Sequence, residues 1–185
     1  AQESRGLGDV YKRQEERSLI MLAATTPDIK TFMNHFLTGT EFDRFLLCEA
    51  TIMTGSTYII DGHINKDFYD SDDEHLESDR IYQYWEECRP IAFQMIKGSR
   101  TPLAMKVVLM LAPYNVERFL EKYNLPFSKD QITGLYLNLR YEHQVLTISS
   151  GTALTVFTLD KSVERMWEEM LRRFFEQQGI ALITS

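Results

Sequence analysis

Apolar residues recur every three to four positions over four stretches of the chain and every second position over several others, and this mixture of periods predicts an α+β fold. In "PDIKTFMNHF", Ile29, Phe32, Met33 and Phe36 share a helical face behind Thr26 as the expected cap, with Pro27 and Asp28 in the first turn and Gly39 as the stop. "RFLLCEATIMTGSTYIIDGHI" then reads as two β-rich runs parted by Thr54, Gly55 and Ser56, a hairpin pattern. Residues 80–97 return to the helical period through Ile81, Tyr84, Trp85 and Cys88, where Pro90 is expected to kink or split the helix. "LAMKVVLML" has the continuous apolar character of a buried strand, and Pro113 opens a helix carrying Val116, Phe119, Leu120 and Tyr123. "GLYLNLRY" alternates strictly. "QVLTISS" and "TALTVFTL" read as further strands about a turn at "SSGT", residues 149–152. Ser162 is the expected cap of the longest helix, in which Val163, Met166, Trp167, Met170, Leu171, Phe174 and Phe175 follow one wide stripe until Gly179.

These elements assemble on paper into an antiparallel meander sheet with packed helices in one domain, residues 21–185. The polar run at 70–79 reads as an exposed loop. Two helices align, Ile29 with Val116, Phe32 with Phe119, Met33 with Leu120 and Phe36 with Tyr123, and each precedes a hairpin. The pattern suggests two α-β-β repeats. A helix followed by a meander, twice, is similar in topology to a DNA sliding-clamp domain, although Lys30, Arg118 and Lys122 would give it only a thin basic stripe.

Composition narrows the function classes. The net charge of −7 over 185 residues opposes non-specific binding to a phosphate backbone, so nucleic acid is disfavoured as a partner. Cys48 and Cys88 lie in apolar segments without paired spacing and read as reduced thiols, which suggests a cytoplasmic protein. No apolar run has the length of a membrane span. Residues 1–20 are expected to be an idle or artefactual extension: residues 4–14, "SRGLGDVYKRQ", match the translation of a sequencing-library adapter and transposon end.

Candidate chemistry gathers in two segments. In "IIDGHINKDFY", Asp61 and His63 would share a face of one strand and form a carboxylate-oriented imidazole for acid–base work, with Lys66 and Asp67 beside them. The competing reading makes Asp61-Gly62 a turn or bulge. In "RPIAFQMIKGSRTPL", Lys97, Ser99 and Arg100 would form an anion clamp with Arg89 as a further ligand-binding candidate, against a reading in which Lys97 ends a helix and Gly98 is its left-handed cap. The enzyme reading, a small hydrolase or phosphoryl-handling protein, needs both groups to converge on one substrate. Asp70, Asp72 and Glu74 start like a calcium loop, but His75 stands where the glycine belongs. His35, His63, His75 and His143 lack zinc spacing, so no metal or cofactor is expected.

From Met21 onward, "IIDGHINKDFY", "RPIAFQMIKGSRTPL", "GLYLNLRY" and "GTALTVFTLDK" resemble an uncharacterised family of bacterial proteins carried as a domain of unknown function. The resemblance implies a cytoplasmic bacterial protein and brings no activity with it. The expectation is a non-enzymatic binding or assembly module, with a homodimer or protein partner and a surface near residues 61–67 and 97–106.

Overall fold

The computed structural model describes residues 22–70, 79–98 and 100–184. In chain order the elements are β1 (Ala23–Thr25), α1 (Ile29–Leu37), β2 (Phe45–Met53), β3 (Thr57–Asp61), α2 (Trp85–Ile96), β4 (Ala104–Leu111), α3 (Pro113–Lys122), β5 (Ile132–Glu142), β6 (Val145–Leu154), α4 (Ser162–Gln177) and β7 (Ile183–Thr184). The strands form one sheet in the order β3-β2-β4-β5-β6-β1-β7, antiparallel throughout. The α+β class is therefore as the periodicities predict.

Strand alternation decides where the helices go. Leu47, Ala50 and Ile52 of β2, Val107 and Leu109 of β4, Leu135, Leu137 and Leu139 of β5, and Leu146 and Ile148 of β6 all enter one core. The same core takes Phe32 and Phe36 of α1, Trp85 and Ala92 of α2, Val116 and Phe119 of α3, and Trp167, Leu171 and Phe175 of α4. One sheet face thus carries all four helices. On the other face Thr51, Lys106, Arg140 and Thr147 form a polar cross-strand row, while Leu46 and Met110 are buried with Tyr84 in a small second apolar cluster. Aromatic rings concentrate under α1, where Phe36 stacks on Trp85 at 4.3 Å and meets Phe42 edge-on at 5.3 Å. Each large side chain buried there stabilises the fold by roughly 1.5–3 kcal/mol.

Five local expectations change. The second helix begins at Trp85 and not at Arg80, because residues 82–84 are extended: Gln83 N–H donates to Gly62 C=O, Leu47 N–H donates to Gln83 C=O, both at 2.8 Å, and Tyr84 bridges Leu46. β3 leaves β2 at Gly62, and Gln83 and Tyr84 take its place beside the first half of β2. The helix then runs unbroken through Pro90. "SSGT" is not a turn, because β6 continues through it; Leu22 N–H donates to Ser150 Oγ at 2.9 Å and Ser150 N–H to Leu22 C=O at 3.0 Å, burying Ser150. Asp28, not Thr26, caps α1 by accepting from Thr31 N–H, and Asp160 accepts from Ser162 N–H at the start of α4. In both cases the carboxylate lies where the chain enters the helix, and the neighbouring hydroxyl turns inward.

The two aligned helices are each followed by an antiparallel hairpin, β2-β3 after α1 and β5-β6 after α3, and Phe32 and Phe119 are both buried. The hairpins occupy different parts of the sheet, and each is followed by a helix, α2 after the first and α4 after the second.

The β5-β6 hairpin turns on His143 and Gln144, with φ of 49° and 63°. Two consecutive left-handed residues suit Asn-Gly far better than His-Gln. The double substitution His143→Asn, Gln144→Gly is expected to stabilise the protein by about 1 kcal/mol, read as a Tm increase of roughly 2–4 °C.

Candidate functional site

Asp61 ends β3, and the chain turns so that its carboxylate accepts from His63 N–H at 3.0 Å and meets His63 Nδ1 at 2.6 Å. These contacts hold the Asp61 carboxyl below the usual carboxylate range. The imidazole also lies against Tyr82, ring centres 4.4 Å apart. The expected pair therefore forms. Both side chains are mostly exposed, 71% for Asp61 and 59% for His63, so nothing around them excludes water.

Gly62 between them is a point of close backbone approach. A Cβ there would meet the carbonyls of Leu47 and Cys48, and the β2–β4 register shifts between Leu47 and Glu49, leaving Cys48 as the extra residue of a bulge. Asp61-Gly62 is thus no hairpin turn; the glycine fits β3 against that bulge.

The other candidates are spread out. Lys66 and Asp67 sit in an exposed 3-10 turn. Arg89, on α2, makes a two-pronged ion pair with Asp43 at 2.8 and 3.0 Å. Lys97 caps the C-terminus of α2 in an extended conformation, and Gly98 does not adopt the expected left-handed one. Arg100 is exposed, while Ser99 and residues 71–78 lie outside the described residues. Gly62 N–H donates to Cys48 C=O, whereas Leu103 N–H donates to Met53 C=O. Those anchors are five residues apart along β2, roughly 16 Å of strand. The Asp61–His63 pair and the Lys97–Arg100 segment therefore flank different ends of β2.

The residues are no better placed for metal or thiol chemistry. Among the described residues no group of three or more His, Cys, Asp or Glu could hold an ion. Burial pushes the thiols of Cys48 and Cys88 up to about 11, which removes them as nucleophiles near neutral pH.

A different region has the shape of a binding site. Where β2 begins, β4 ends and α3 and α4 face each other, a cleft of about 690 Å³ opens over Phe45, Leu111, Phe119, Met170 and Phe174. Its rim carries Arg44, Arg118 and Lys122 together with Glu41 and Glu121. Arg44, Asn115 and Arg118 also line a second hollow of about 650 Å³ with Tyr84, Tyr114, Glu117 and Lys129. Tyr84 there contacts the guanidinium groups of Arg44 and Arg80, 4.6 and 4.5 Å from its ring centre. Glu41 is fixed by His35 Nδ1 at 2.8 Å, and Lys129 by Asp79 at 2.6 Å.

Sequence reasoning singled out Arg118 and Lys122 but not the cleft. One sign of it is readable: the apolar stripe of α4 is wider than one buried face requires. Val163, Trp167, Leu171 and Phe175 are buried, which leaves Met170 and Phe174 partly uncovered at the cleft.

A single antiparallel sheet with helices packed on it, and an apolar cleft with a rim of both charges, defines an α+β protein. The chain belongs to the Family of unknown function (DUF5721), whose model matches residues 35–182. No curated protein and no solved structure matches it. No helix among the described residues is long and apolar enough to cross a membrane.

Proposed function

We propose that this chain is a non-enzymatic binding module that holds a segment of a protein partner in the cleft between β2, α3 and α4. One observation carries the reading: an apolar floor in which Met170 and Phe174 are partly uncovered above the buried Phe45, Leu111 and Phe119, beside a rim of both charges, the combination an amphipathic peptide complements. The same rim argues against a clamp-like role on nucleic acid, since Glu41 and Glu121 stand among the cations that would meet phosphates. Peptides selected from a random library against the whole chain are expected to lose about tenfold in affinity with Met170→Glu or Arg118→Glu. Selected peptides that bind these variants as tightly as the parent would sink the proposal.

The Asp61–His63 hydrogen bond supports a second reading, acid–base hydrolysis at the sheet edge. Against it stands the exposure of both side chains. Hydrolysis of nitrophenyl phosphate or ester that disappears in His63→Ala would establish this reading over the first.

A further inference from the structure

The two edges of the sheet are unlike. β7, at one edge, is a two-residue strand, too short to template another chain. β3, at the other, is five residues long, contains neither proline nor lysine, and among the described residues pairs only with β2. Tyr58 is 40% and Ile59 74% accessible, between the exposed Thr57 and Asp61. Two more uncovered apolar side chains adjoin this hairpin: Met53, 39% exposed at the end of β2, and Leu103, 67% exposed and hydrogen-bonded to it. An edge with exposed apolar side chains at its centre and neither proline nor lysine is a site for adding a strand.

We infer that β3 is a homodimer interface, pairing antiparallel with β3 of a second copy about a two-fold axis at Ile59 to make one continuous sheet. The sequence of the strand argues for a copy of itself as the occupant. In this register Ile59 faces Ile59, Tyr58 faces Ile60 and Thr57 faces Asp61 of the other chain, so the one charged residue of the strand meets a hydroxyl and no like charges oppose. Moving the axis to Asp61 would set two carboxylates against each other. The chain is acidic as a whole, with a net charge of −7, yet this edge keeps acid from facing acid. The inference is independent of the cleft, which uses the opposite end of β2.

The register makes the test specific. In sedimentation equilibrium the full chain is expected to dimerise at about 100 μM or below, and Ile59→Lys, which sets lysine against lysine, to weaken the dimer about tenfold or more with an unchanged circular dichroism spectrum. Oxidation should cross-link Ile59→Cys to itself, because directly paired antiparallel residues lie within the Cα spacing of about 4.4–6.8 Å that a disulfide spans. Thr57→Cys alone should not cross-link, but mixed with Asp61→Cys it should. A protein that sediments as a monomer throughout overturns the inference and leaves the edge to an extended segment of some other protein. A dimer that Ile59→Lys leaves intact, or equal cross-linking of the single Ile59→Cys and Thr57→Cys variants, also overturns it.

Discussion

Gly62→Ala is expected to destabilise the protein by about 3 kcal/mol, a large share of the 5–15 kcal/mol of a typical domain. The backbone angle of Gly62 is not the reason, since its φ lies outside the left-handed region. The cause is space: a methyl group there would overlap the Leu47 carbonyl, which is main chain and has no rotamer to escape into. Relief would require β3 to move off the Cys48 bulge, breaking the bond from Gly62 N–H to Cys48 C=O and straining the one from Gln83 N–H to Gly62 C=O. Urea unfolding measures it as a lower midpoint at constant m. Gly55→Ala and Gly98→Ala are the controls, because a Cβ at either meets nothing within 4 Å, and both should stay within about 0.5 kcal/mol. A loss below about 1 kcal/mol for Gly62→Ala would show that the bulge yields easily.

The second large effect is expected at Asp43. Its carboxylate is nearly buried and receives both prongs of Arg89, while its carbonyl accepts from Glu86 N–H at 3.4 Å. The residue thus pins the first turns of α2 to the corner between α1 and β2. The adjacent Trp85 closes the same joint, with its indole N–H donated to Phe36 C=O at 2.8 Å. Asp43→Ala would leave the guanidinium half-buried and uncompensated, at a cost of about 2–3 kcal/mol. Arg89→Ala should cost a similar amount, and the double variant less than the sum by about 1 kcal/mol or more. Chemical denaturation of the four proteins measures the cycle. If Arg89 were instead a ligand-binding residue, its removal would leave stability nearly unchanged, and the cycle would show no coupling.

That outcome bears on how much could be read from the residues alone. Arg89 looked like a ligand-binding residue because a cation beside Lys97 and Arg100 suggests a cluster; its partner, Asp43, is forty-six positions away and invisible to local spacing. The same limit explains the misplaced start of α2. Arg80 to Tyr84 have helical periodicity, but Gln83 is captured by Gly62 and Leu47, a pairing that only the assembled sheet offers. Ser150 was legible as a turn residue by type, and its contact with Leu22 made it a strand residue instead. Several local or periodic readings hold, although the caps at Thr26 and Ser162, the kink at Pro90 and the left-handed Gly98 do not. Pro113 opens α3, Gly179 ends α4 at φ 68°, and the inward faces of β4, β5 and α4 follow their alternation. The Asp61–His63 contact was legible for the same reason, being two residues long. The cleft was not, because residues from four separate elements close it.

The strand order places β1 between β6 and β7, so that Ala24 pairs with Thr184 and Thr25 with Ile183. The first and last strands of the described sheet are therefore neighbours, and the start of β1 lies beside the end of β7. A fold wired this way can be spliced into a surface loop of another protein while the host's cut ends stay close together. Linking the start of β1 to the end of β7 and opening the chain at the solvent-exposed Gly55 turn is expected to leave the sheet intact.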